Sequence, residues 1–114
     1  MKKLSLLILA ALCCSLTFAA KQPAIDVQHF EPAFWWTGMH QKQVQLLLHG
    51  NNISASSISV DYPGVTINEI NKVENPNYLF VYLTVSDEAQ PGTVVFTLQQ
   101  GKKKVKKEWK LLER

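Results

Sequence analysis

The side chains able to do acid–base, metal or nucleophilic chemistry in this 114-residue chain are three histidines, nine carboxylates, two cysteines and a run of serines. His29, His40 and His49 lack metal-motif spacing and fall in different stretches of the chain, whereas a structural zinc site takes its ligands from closely spaced pairs. The carboxylates, from Asp26 to Glu113, are scattered, and none stands in a recognisable acid/base context. Ser54, Ser56, Ser57 and Ser59 lack a nucleophile elbow. Asn52-Ile53-Ser54 matches a glycosylation sequon only as any short pattern does, and there is no glycine-rich phosphate loop. The expectation is a chain with no catalytic residue, metal ligand or cofactor site of its own.

Two segments carry binding chemistry instead. Phe34-Trp35-Trp36-Thr37-Gly38-Met39 follows Glu31-Pro32 and concentrates a large apolar load in what reads as a non-strand position. Exposed indoles can stack on sugar rings, which makes Trp35 and Trp36 candidate carbohydrate contacts. Aromatic rings of this size are more often buried, so the competing reading has one Trp plugging the end of a sandwich and the other packed on a neighbour. Lys102, Lys103, Lys104, Lys106, Lys107 and Lys110 form a basic run. A nucleic-acid surface would add arginines and stacking aromatics on the same face. Arg114 is the only arginine, so the lysines are expected to solvate a strand edge and discourage aggregation, and no nucleic-acid partner is expected.

The amino terminus reads as an export signal. Met1-Lys2-Lys3 is a basic start, Leu4 to Leu16 an apolar run, and Thr17-Phe18-Ala19 places small residues where a signal peptidase cuts. The run is short for a membrane span. Residues 1–19 are therefore expected to be a signal peptide and residues 20–114 the domain, exported and not held in a membrane after cleavage. Two of the 12 basic residues leave with the leader, against 9 acids that stay, so the mature chain is close to neutral. Cys13 and Cys14 also leave. Leu12 precedes Cys13, and Cys13 precedes Cys14, where a lipidation site wants a small residue. Without thiols, the domain must rely on its apolar core, and a domain of this size buries about two-thirds of its unfolded surface.

The elements that position these residues are short and densely punctuated. Glu31-Pro32, Gly50-Asn51-Asn52, Tyr62-Pro63-Gly64, Asn75-Pro76-Asn77, Gln90-Pro91-Gly92 and Gln100-Gly101 read as turns. The runs between them are rich in Val, Ile, Leu, Tyr, Phe and Thr, a spacing that predicts an all-β sandwich or barrel. In Gln43 to His49, Val44, Leu46 and Leu48 share a face; in Thr93 to Gln99, Val94, Phe96 and Leu98 do; in Lys104 to Leu112, Val105, Trp109 and Leu111 do. Ile25-Asp26-Val27 is expected to open the first strand, Ile58 and Val60 to make a short one, and Val65 to Val73 a longer one. No stretch keeps a helical apolar period for three turns. Tyr78 to Val85 differs, because Leu79, Val81, Leu83 and Val85 line one face while Phe80 and Tyr82 occupy the other. Two apolar faces imply a central strand, or an outer face covered by another domain or subunit.

Several of these segments, taken in order, resemble one family. Glu31-Pro32-Ala33-Phe34-Trp35-Trp36-Thr37-Gly38-Met39 is similar to the opening of the amino-terminal domain of cyclomaltodextrinase and neopullulanase-type enzymes of the α-amylase superfamily, especially the exported enzymes of Bacteroides-like bacteria. Leu46 to Ile53, Tyr62-Pro63-Gly64-Val65, Val73 to Leu83 and Pro91-Gly92-Thr93 agree in order and spacing. The resemblance runs from Ile25 to Leu112. It implies an immunoglobulin-like β-sandwich of about seven short strands, set before a catalytic (β/α)8 barrel that hydrolyses α-1,4 linkages in cyclodextrins, pullulan or starch oligosaccharides. The barrel's catalytic residues have no counterpart here, and Arg114 stands where the linker to it would begin. The implied role is a noncatalytic module packing on the barrel of its own or another chain, in the periplasm. Phe80 and Tyr82 are its interface candidates, and an α-glucan is a possible partner of Trp35 and Trp36.

Overall fold

Alternation is most regular in Tyr78–Val85, where every second side chain, from Leu79 to Val85, is buried and those between are half-buried. A strand with this pattern needs neighbours on both edges, and the structure supplies them. The structure is a computed structural model describing residues 24–114; the expected leader, with Cys13 and Cys14, lies outside the described residues. Its strands are β1 (His29–Glu31), β2 (Phe34–Trp36), β3 (Gln43–His49), β4 (Ser57–Val60), β5 (Val65–Lys72), β6 (Tyr78–Val85), β7 (Gly92–Gln100) and β8 (Lys103–Leu112). The helical content among the described residues is a single 3₁₀ turn at Ile53–Ala55.

The strands form two four-stranded sheets, ordered β1-β3-β6-β5 and β2-β8-β7-β4. Every pairing is antiparallel except β2 with β8. With the opening strand divided between the sheets, this is the order of an immunoglobulin-like sandwich, ABED against CFG. The division gives eight strands where about seven were expected.

The inner faces meet in one core. Leu46 and Leu48 of β3 and Leu79, Val81 and Leu83 of β6 lie opposite Val94, Phe96 and Leu98 of β7 and Trp109 and Leu111 of β8, all essentially fully buried. Trp109 stands edge-on to Phe96, with ring centroids 5.7 Å apart, and its indole Nε1 donates to the Pro32 carbonyl at 2.8 Å. That bond fastens β8 to the crossing where the chain leaves one sheet for the other. The β7–β8 hairpin turns through Gly101-Lys102, since Gln100 pairs directly with Lys103. Gly101 has φ +60°, as expected for glycine in the first position of a two-residue type II′ loop. In β5 the register slips between Ile67 and Glu69, and the Asn68 amide at the bulge donates to Thr84 Oγ1 at 2.6 Å.

Two expectations fail. Ile25-Asp26-Val27 is not a strand; the first ladder begins at His29. Ile25 is buried, but Asp26 accepts from the Asn51 backbone N–H at 3.0 Å and from the Gln28 side chain at 2.9 Å. The segment is held to the turn after β3 by a side chain rather than by a ladder. Conversely, Phe34–Trp36, read as non-strand, pairs in parallel with Lys110–Leu112.

Candidate functional site

The outer face of the β1-β3-β6-β5 sheet carries the first candidate surface. β6 lies inside the sheet, so Phe80 is flanked by Leu47 of β3 and Asn71 of β5, and Tyr82 by Gln45 and Glu69. Both rings are half-buried by these neighbours, and the Gln45 amide donates to the Tyr82 hydroxyl at 3.2 Å. Leu47, His49 and Tyr78 continue the half-buried surface. The outer face of the other sheet presents Lys104, Lys106, Glu108 and Lys110 beside Thr97, Gln99 and Ser59. The two outer faces therefore differ in kind: one is aromatic and apolar along its middle, the other mostly polar.

The second candidate surface is β2 and the turn after it. Trp35, opposite Leu111 in register, packs against the core, and its Nε1 is buried without a hydrogen-bond partner. Trp36 lies 5.7 Å from Trp35 and 5.2 Å from Phe34, the latter pair edge-on at 85°. Phe34 and Leu112 are about two-fifths exposed, at 43% and 39%. The three rings thus run as a step from core to surface. Beside Trp36 a shallow groove of about 310 Å³ is lined by Trp36, Met39, Glu113 and Arg114. Arg114 Nη1 donates to the Gly38 carbonyl at 3.0 Å, joining the end of the chain to the turn after β2. The residue that fills the sandwich interior is Trp109, while Trp35 and Trp36 are half-buried at one end.

Strand pairing also brings together groups the sequence had left apart. His29 and His49 are directly opposite across β1 and β3, with ring centroids 5.6 Å apart, and His49 lies 4.7 Å from Tyr78. Glu31 approaches His29 Nδ1 at 3.8 Å, an exposed pair, while His49 Nδ1 is buried without a partner. A register between two strands is what would have revealed this pair, and no local spacing encodes it. His40 lies in the turn after β2, away from both. Among the described residues no group of three His, Cys, Asp or Glu side chains converges as a metal ion requires.

The lysine run divides between turn and strand. β2 covers β8 only at Lys110–Leu112, so among the described residues the stretch from Lys103 to Glu108 is an open sheet edge. Lys104 and Lys106 are exposed along it, and half-buried Lys107 faces inward opposite Phe96.

Among solved structures, the chain is similar to a titin M4 domain at 12% identity, covering 81% of this chain and 100% of that one, with a TM-score of 0.43. It is also similar to a chimeric titin Z1Z2-Z1Z2 tandem at 14% identity, covering 82% of this chain and 53% of the tandem, with a TM-score of 0.39. The sequence profile described as the amino-terminal domain of cyclomaltodextrinase matches residues 29–114. That span begins at β1 and includes every strand of both sheets, and the chain belongs to the cyclomaltodextrinase N-terminal domain family.

Proposed function

We propose that this chain is an exported, noncatalytic module of an α-glucan hydrolase of the α-amylase type, and that it docks on the (β/α)8 barrel of its own or another chain through the outer face around Phe80 and Tyr82. Family membership supports the parent enzyme class. The observation that carries the docking surface is the contrast between the two outer faces: Leu47, Tyr78, Phe80 and Tyr82 line the middle of one sheet, and among the described residues no strand or helix lies over them. An apolar strip of this kind, framed by Gln45, Glu69 and Asn71, matches the apolar centre and polar rim of an interface. The basic-apolar-small order of residues 1–19 supports export, and the resemblance to exported enzymes supports a periplasmic setting. Chemistry belongs to the barrel in this reading, and the module positions and stabilises it.

The test is association with a separately produced barrel. The double variant Phe80→Ser, Tyr82→Ser keeps its β-type circular dichroism and loses barrel binding, because the two rings serve the surface. A double variant that unfolds outright would make them core residues and end the docking proposal.

A further inference from the structure

We propose that the uncovered edge of β8 accepts an acidic extended segment of another protein as an added antiparallel strand, with carboxylates set opposite Lys104 and Lys106. The site lies on the other sheet from Phe80 and Tyr82 and does not rest on the docking reading above.

The first support is the parity of the backbone. Gln100 and Lys103 close a two-residue loop, so that pair exchanges its main-chain hydrogen bonds, and antiparallel alternation repeats the exchange at Val105, Lys107, Trp109 and Leu111. The N–H and C=O groups of the residues between them point away from β7. The Thr37 N–H donates to the Leu112 carbonyl at 2.8 Å, in keeping with that parity. Because β2 pairs only at Lys110–Leu112, the main-chain groups of Lys104, Lys106 and Glu108 have no strand beside them among the described residues. The open stretch from Lys103 to Glu108 amounts to roughly 20 Å of strand.

The second support is charge. Lys102 to Lys110 holds six lysines and one glutamate, whereas the rest of residues 20–114 holds four basic and eight acidic side chains. A nearly neutral domain thus gathers its positive charge in one hairpin. The ion pairs among the described residues are His29–Glu31 and Lys42–Asp87, so no carboxylate neutralises a lysine of this run. Lys104 and Lys106 are exposed, and they are also residues whose main chain is free. Hydrogen-bonding capacity and positive charge therefore coincide at the same two positions.

That coincidence selects the occupant. An anionic lipid surface would satisfy the lysines but not the main-chain groups, which fit another strand. A second copy of β8 would satisfy the main chain but bring another six lysines to the same edge. An acidic strand satisfies both. Directly opposite residues of a hydrogen-bonded pair have Cα atoms about 5.5 Å apart, and opposite charges placed there attract. The residues between the acids turn toward the inner side, beside half-buried Val105.

Heteronuclear NMR of the folded chain, titrated with acetyl-Glu-Val-Glu-Val-Glu-Val-amide, tests the site, with amide hydrogen exchange as a second readout. In the free chain the amides of Lys104, Lys106 and Glu108 should exchange fast and those of Val105 and Lys107 slowly. The acidic peptide should shift and protect the first set, and the matching Lys-Val peptide should not. The backbone-N-methylated acidic peptide keeps its charge and loses its donors, and should bind about tenfold more weakly or worse. Lys104→Glu with Lys106→Glu should weaken the unmodified peptide by about tenfold, whereas Phe80→Ser with Tyr82→Ser should leave its binding unchanged. Equal binding of the N-methylated peptide would reduce the edge to a charged surface and overturn the added strand, as would phosphatidylglycerol vesicles that bind the chain and are not displaced by the peptide. A dimer whose Lys104, Lys106 and Glu108 amides are protected without peptide would assign the edge to a second copy instead, and an unperturbed spectrum would remove the site altogether. Each of these negatives leaves docking on the barrel standing, because docking is read by other residues and another partner.

Discussion

Trp109 and Trp35 contrast in the energetics of this domain, because both indole nitrogens are shielded from water but only that of Trp109 has a hydrogen bond. Trp109→Phe would open a cavity against Phe96 and leave the Pro32 carbonyl unpaired, a loss of about 2–4 kcal/mol. Trp35→Phe removes a desolvated donor along with some packing, and its cost should stay below about 1.5 kcal/mol. Urea melts of the two variants check the contrast; equal costs would mean that Trp35 Nε1 has a partner after all. The buried role of Trp109 was legible in the sequence from its place on the Val105 face. The identity of its acceptor was not, since Pro32 lies 77 positions away and only the packing of the sheets brings them together.

At the scale of elements, two turns separate backbone strain from crowding. Gly101 has φ +60° with open space where a Cβ would sit, whereas at Gly64, φ +87°, a Cβ would fall 2.6 Å from the Ala89 nitrogen. Gly101→Ala should cost about 1 kcal/mol, the backbone penalty alone. Gly64→Ala should cost roughly 3 kcal/mol or more, because the loop carrying Ala89 must also move; thermal melts of the two variants give the order. Strands that bury several alternate residues on one face, β3, β6 and β7 along most of their length and β8 at Trp109 and Leu111, were legible from alternation, because burial on one side imposes the two-residue period. Phe34–Trp36 was not, since three successive aromatics show no period and the segment becomes a strand only through three residues of parallel pairing with β8. Ile25–Val27 failed in the opposite sense: its apolar ends promised a ladder, and Asp26 spends its carboxylate on the turn at Asn51 instead. Phe80 and Tyr82 could be singled out from the sequence because they break the alternation on the wet side, while the His29–His49 pair could not, being a matter of register.

For the molecule as a whole, cohesion among the described residues comes from one layer of apolar side chains between two sheets, and those residues include no cysteine. A polypeptide of residues 20–114 should therefore melt at the same temperature with and without dithiothreitol, measured by circular dichroism; a drop under reductant would contradict cohesion by the apolar layer alone. The brevity of β2 has a further consequence. Three residues of pairing leave most of one flank of β8 with unused amide and carbonyl groups, a template onto which a neighbouring copy could zip. Ammonium groups at Lys104 and Lys106, with Lys107 turned inward, make that zipping repulsive. Colloidal behaviour is thus written in charge along this flank, so crowded, high-salt or acetylating surroundings would push the protein toward ribbon-like stacks long before they weakened its interior.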